Sequence, residues 1–261
     1  MSQTINLNDM EAVSFNDKEV EFLQLNNVEI WSKLTEDQLQ RLLEGTIVTV
    51  SEEELEGLTD IRPATFADCT LLESVTLPNT ITTIHESAFY QCTSLTNINI
   101  PNNLISLGDA CFKFCYVLNN IVLPDTLKSI DSEAFSHCSS LTSIIMPDTV
   151  ESIGRRVFVG CSSLITVKLS NILTEIPENT FTGCDALGKV IIPATVTKIE
   201  SNAFIYNNVN IRLLSETPPS IASNSFDTLD SIDIIEVPMS SVDAYKTATY
   251  WRTYADKIVG Y

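Results

Sequence analysis

Phenylalanine recurs at a constant interval, at Phe66, Phe89, Phe112, Phe135, Phe158, Phe181 and Phe204, and Phe226 follows one position early. Three positions after the first six stands a cysteine: Cys69, Cys92, Cys115, Cys138, Cys161 and Cys184. A fixed period of roughly 20 to 30 residues marks a solenoid, because one such unit cannot bury its apolar face until its neighbours stack on it. The apolar slots repeat with the same period. After the cysteine come Leu, two variable positions, Ile or Val, one variable position, Ile or Leu, and then Pro, as in Leu118, Ile121, Leu123, Pro124. The last part alternates with period two, so it predicts a strand with every second side chain inward. A second apolar pair precedes each Phe, such as Leu127 and Ile130 or Val196 and Ile199. Each turn therefore predicts a strand, a corner, a second extended segment and a central Phe. In FSHCSSLTSIIMP (135–147), Phe135, Leu141, Ile144 and Met146 are core, and Ser143 and Ile145 face outward.

The expected architecture is a solenoid, mainly β or α/β, of eight turns of ~23 residues each. Residues 1–58 are read as an N-terminal capping or attachment module, 59–240 as the repeats and 241–261 as a helical cap. Within the first module, Val20 and Phe22 lead through Asn26-Asn27 to Val28 and Ile30, a pattern for a hairpin with a tight turn. Thr35 and Gln38 form a capping box for a helix whose apolar face is Leu39, Leu42 and Leu43, ended by Gly45. Residues 46–50 read as a strand, and Ser51 with Glu54 opens a short turn. Toward the other end the repeat loosens. Ser170 replaces Pro, Asn207 replaces Cys, and residues 209–220 carry a register change. Ser241 to Ile258 reads as a helix offering Val242, Tyr245, Tyr250, Trp251 and Tyr254 to seal the open end.

The repeat LPxTxxxIxxxAFxxCxxLxxIxI, clearest at 77–100 and 123–146, resembles the BspA-like leucine-rich repeats of bacterial surface proteins, some protozoa and gut phages. That resemblance implies a leucine-rich repeat solenoid that recognises proteins or cell surfaces and carries out no catalysis. Many members place Gly after the Ile of the second segment. Here that slot holds Arg62, His85, Gly108, Asp131, Gly154, Pro177 and Glu200, which suggests a loosely constrained turn. The segment FNDKEVEFLQLNNVEIW (15–31) is similar to a short β-module of phage and prophage structural proteins. This implies a virion or tail-associated protein, with residues 1–58 contacting other virion proteins. The alternative is a bacterial cell-surface or secreted adhesin.

Charge narrows the partners. The net charge of −19 argues against nucleic acid or an anionic membrane surface, both of which need a basic footprint. No apolar run approaches the roughly 20 residues needed to span a bilayer, so membrane insertion is not expected. The start lacks a basic segment followed by an apolar one, so no secretory signal is visible.

Chemistry is sparse. The cysteine ladder would place neighbouring Cα atoms about 4.8 Å apart, but with parallel side chains whose Cβ atoms stay too far apart for disulfides. A straight row cannot converge on a metal ion. The ladder reads as buried, reduced and hydrogen-bonded to backbone, with Cys111 a small core residue in the slot of Ala88, Ala134 and Ala203. His85 and His137 occupy unrelated slots and read as solvated turn residues. No catalytic set, metal site or cofactor site is predicted. The outward face of the repeat strand is the candidate contact surface. One column runs Asn97, Asn120, Ser143, Thr166, Lys189, and the next Asn99, Val122, Ile145, Lys168, Ile191. Its apolar centre at Val122 and Ile145 marks a contact with a protein or cell-surface ligand.

Overall fold

The computed structural model describes residues 14–15, 18–19, 48–205, 209–226 and 232–261. The alternating segments form stacked parallel strands, about nine turns in all. The front sheet has two parts. Val48–Val50, Leu72–Thr76 and Asn97–Asn99 form one. Ser143–Ile145, Thr166–Lys168, Lys189–Ile192, Asn210–Leu213, Ile235–Val237 and Ile258–Gly260 form the other. The back sheet is built from very short strands. Five of them run from Asp60–Ile61 to Ser152–Ile153, and three from Glu175–Ile176 to Ser220–Ile221.

The break in the back sheet has a chemical cause. The residue after each second-segment Ile or Leu donates its N–H to the previous turn: Gly108 to Ile84 (2.7 Å), Asp131 to Leu107 (2.8 Å), Gly154 to Ile130 (2.8 Å) and Glu200 to Ile176 (2.9 Å). Pro177 holds that slot in between and has no N–H to give. The ladder therefore divides between Ile153 and Glu175. The same slot is less permissive than its varied residues suggest. A Cβ on Gly154 would lie 2.2 Å from the Ser132 nitrogen, and one on Gly108 would lie 2.6 Å from the His85 carbonyl carbon. Where His85 and Asp131 fill the slot, glycine stands in the turn stacked on them.

A third ladder joins the turns around the phenylalanines. From Phe66 to Phe181 the residues two before and two after each ladder Phe adopt positive φ, as at Glu133 (57°) and His137 (60°). This conformation costs a non-glycine residue about 1 kcal/mol or more. In return the N–H groups of Glu133, Phe135 and His137 all point at the following turn, to the carbonyls of Arg155, Val157 and Val159 at 2.9, 3.0 and 2.6 Å. Inside this ladder the rings from Phe66 to Phe226 stack within 20° of parallel, with centroids 5.1 to 5.8 Å apart. Phe135, Leu141, Ile144 and Met146 are all buried, as their slots require.

Each ladder cysteine from Cys92 to Cys184 donates its thiol to the carbonyl of the Phe one turn back, for example Cys138 Sγ to Phe112 at 3.1 Å. The seven thiols are free and buried, and Cys111 packs in the alanine slot. Ser170 keeps the turn that proline makes elsewhere, its carbonyl accepting the Leu173 N–H at 3.2 Å.

The register change lies where the pattern weakens. Lys189 pairs with Asn210 and Ile191 with Arg212, two positions short of the period, and Ile211 then pairs with Ile235, one position beyond it. Asn207 lies outside the described residues. The C-terminal end differs from a single helix. Val242–Thr247 is helical, Tyr250 turns the chain at φ 63°, and Trp251–Tyr254 forms a short 3-10 helix. The kink swings Trp251 onto Phe226 at 5.6 Å and lets its indole N–H donate to Pro219 at 2.7 Å. Tyr245, Trp251 and Tyr254 are buried, whereas Tyr250 is exposed and seals nothing. Ile258–Gly260 then adds a last strand to the front sheet.

At the other end Val48–Val50 pairs with Leu72–Thr76, and Glu53–Leu55 is a 3-10 turn. Ser14–Phe15 and Lys18–Glu19 pair antiparallel. The expected hairpin around Asn26-Asn27 and the helix after Thr35 lie outside the described residues.

Candidate functional site

The front sheet aims alternate side chains outward because successive residues of a strand point to opposite faces. Asn97, Asn99, Asn120, Val122, Ile145, Thr166, Lys168, Lys189 and Ile191 are all exposed, and Ser143 is half-buried. The apolar members are strongly so. Val122 is 74% exposed and Ile145 51%, and Ile165, which the two-column reading left out, is 59% exposed. The register change also carries Arg212 and Glu236 onto this face, opposite Ile191 and Arg212 respectively. They were missed because a strict count by the repeat period loses the column after Ile191.

The face has two electrostatic halves. Toward the C-terminus its cations are paired: Lys168 with Asp148 at 3.6 Å, Lys189 with Glu236 at 2.6 Å and Arg212 with Glu236 at 3.7 Å. The Lys189 ammonium holds the Glu236 carboxyl below its ordinary range. Arg212 also lies 3.7 Å over the Tyr261 ring. Toward the N-terminus the face is uncharged, with Ser74, Thr76, Asn97, Asn99, Asn120 and Val122 outward.

At the junction of the halves the sheet opens. In a regular turn the residue after the second column donates to the next strand, as Met146 does to Lys168 at 2.9 Å. At Leu77 the side chain of Asn99 takes that place. Its Oδ1 accepts the Leu77 N–H at 2.6 Å and its Nδ2 donates to the Leu77 carbonyl at 2.8 Å. Among the described residues no backbone hydrogen bond joins 97–99 to 120–122. A cleft of about 550 Å³ lies there, bordered by Ser74, Thr76, Asn97, Asn120 and Val122.

Around the corner, the same turns carry an aromatic cluster. Phe114 touches Tyr90 edge-on at 5.6 Å, Tyr116 at 5.9 Å and His137 face-on at 5.0 Å. His137 is thus not the solvated residue expected. Its ring is half-buried between Phe114 and Gly160, where an added Cβ would meet it at 2.4 Å. Burial lowers its pKa, helped by the charge of Lys113. His85 is more exposed and lies 3.7 Å from Asp60. Phe114 and His137 both hold positive φ, a conformation that bulky residues rarely adopt.

The thiols are poor nucleophiles here. Burial pushes Cys69, Cys115 and Cys161 up to about 12, Asp68 adding to the effect at Cys69, and pushes the remaining four upward as well. Among the described residues no group of three or more His, Cys, Asp or Glu could hold a metal ion, and no helix is long and apolar enough to cross a membrane.

Comparison with known proteins agrees with this geometry. The family model described as the BspA type leucine rich repeat region matches in six copies, over residues 59–185 and 128–254. A leucine-rich repeat protein of T. pallidum is 28% identical with a TM-score of 0.51, the match covering 60% of this chain and 79% of that one. One from Bacteroides ovatus is 22% identical with a TM-score of 0.59, covering 75% and 64%. No curated protein matches. With six repeat copies spanning most of its length, the chain belongs to the family of BspA type leucine-rich repeat proteins.

Proposed function

We propose that this chain is a non-catalytic recognition module that binds a protein or cell-surface ligand through the front face of its solenoid. The observation that carries the reading is the outward apolar pair Val122 and Ile145, exposed on a rigid stack of strands whose core is otherwise closed. Leucine-rich repeat proteins of this type serve protein-binding and adhesin-like roles, and extended solenoid faces are the surfaces they offer. Exposed apolar patches mark contact sites.

The reading extends to where the module is carried. The similarity of residues 15–31 to phage structural proteins supports attachment to a virion or tail through residues 1–58. The family's bacterial members support a cell-surface or secreted adhesin. Peptide mass spectrometry of purified virions against surface-labelled bacteria separates the two, because the chain is expected in one preparation and absent from the other.

The contact face has its own test. Val122→Lys with Ile145→Lys places two cations at the apolar centre without touching the core. Labelled protein carrying both changes is expected to lose adherence to host cells while its melting temperature stays put. Unchanged adherence removes these columns from the binding surface.

A further inference from the structure

We infer that the cleft between residues 97–99 and 120–122 is a binding site for a neutral carbohydrate. This deepens the reading of the front face as a contact surface and rests on it. On so acidic a chain, the cleft is lined without any ionisable side chain: amides, hydroxyls and apolar groups alone border its 550 Å³. A site for a peptide terminus, a phosphate or an acidic sugar needs a compensating charge, and none is there. A primary amide donates and accepts from one planar group, which matches the paired hydroxyls of a pyranose. Asn120 makes no side-chain hydrogen bond among the described residues, and Asn97 uses only its Nδ2, on Thr96. Ser74 and Thr76 extend the polar wall. Val122, largely exposed at the rim, offers an apolar surface to the C–H face of a sugar ring.

Two further departures from the repeat fall on the same turns. First, among the described residues 120–122 pair with neither neighbouring strand, so the front sheet is interrupted at this turn. Second, the corner leading into the 120–122 segment carries Tyr116, 44% exposed, where other turns place Thr70, Thr93, Ser139, Ser162 and Asp185. Tyr116 leans on Phe114, their ring centroids 5.9 Å apart.

The test uses the full-length chain on an array of neutral, sialylated and sulfated oligosaccharides, followed by calorimetry with the neutral oligosaccharide that binds best. Saturable binding to neutral oligosaccharides is expected. Asn97→Ala with Asn120→Ala should weaken it about tenfold or more, since each lost hydrogen bond is worth up to about tenfold. Lys128→Ala on the back should leave binding unchanged. All variants are checked for an unchanged melting temperature. Binding to acidic oligosaccharides alone, to none, or equally by the double variant overturns the inference. Loss of cell adherence in Ile145→Lys without any oligosaccharide binding would leave the front-face reading standing and remove only this one.

Discussion

Replacing Phe135 by Ala would test whether the ring stack is what makes the solenoid one cooperative unit. The ring is fully buried and lies 5.6 Å from Phe112 and 5.8 Å from Phe158, parallel to both. Truncation of a buried Phe costs about 3–5 kcal/mol. Two ring pairs, each worth about 0.5–1.5 kcal/mol beyond area, place this position toward the upper end. A solenoid couples its halves only through neighbouring turns. The deletion therefore weakens the one interface through which the turns before and after Phe135 communicate. In a Trp31→Phe background, Trp251 is the sole remaining tryptophan and reports the C-terminal end. Guanidinium unfolding followed by Trp251 fluorescence and by far-ultraviolet circular dichroism should coincide in the parent and separate in Phe135→Ala. Phe135→Leu, which restores most of the volume but neither ring pair, should fall between them. A loss below about 2 kcal/mol, or transitions that still coincide, would refute the stack as the coupling element.

Three further outcomes are expected. Thr126 and Thr149 occupy equivalent slots, but Thr126 Oγ1 donates to the carbonyls of Asn102 and Leu104 at 2.8 and 2.7 Å, while Thr149 Oγ1 is buried with no partner among the described residues. Thr149→Val should thus be neutral or stabilising by about 1 kcal/mol and Thr126→Val destabilising by a similar amount, read from chemical denaturation. The cysteines make stability sensitive to alkali. Their folded pKa lies above the unfolded value, so the stabilisation they confer is intact below about pH 9 and declines as pH rises from there toward 12. Denaturation midpoints should fall across that window, less steeply in Cys138→Ala. A thiol reagent at mildly alkaline pH should label none of the seven until the chain unfolds.

The repeat itself was legible because its signals are local. Alternation of period two tells which side of a strand faces the core, and recurrence at one fixed interval tells that the turns stack. The buried Phe ladder, the outward columns and the structural role of the cysteines all follow from those two facts. What lay beyond was decided by pairs of residues one turn apart. Gly154 looked like one of several interchangeable residues until the Ser132 backbone beneath it left no room for a Cβ. Pro177 divides the back sheet because the N–H it lacks is the one the preceding turn needs. His137 turned from a solvated residue into a stacked one because Phe114 stands on one side and Gly160 on the other.

The candidate site divides the same way. That Asn97, Asn120, Val122 and Ile145 face outward could be read from the sequence, since outwardness is a property of position within one strand. That the sheet parts between residues 97–99 and 120–122 could not be. It depends on whether the backbone groups of residues 120–122 meet those of the neighbouring turns, a relation across a full turn that no local pattern records. The order of residues specifies a solenoid and which side chains it turns outward. Where that face opens is settled only on folding, because the opening is made by contacts between turns.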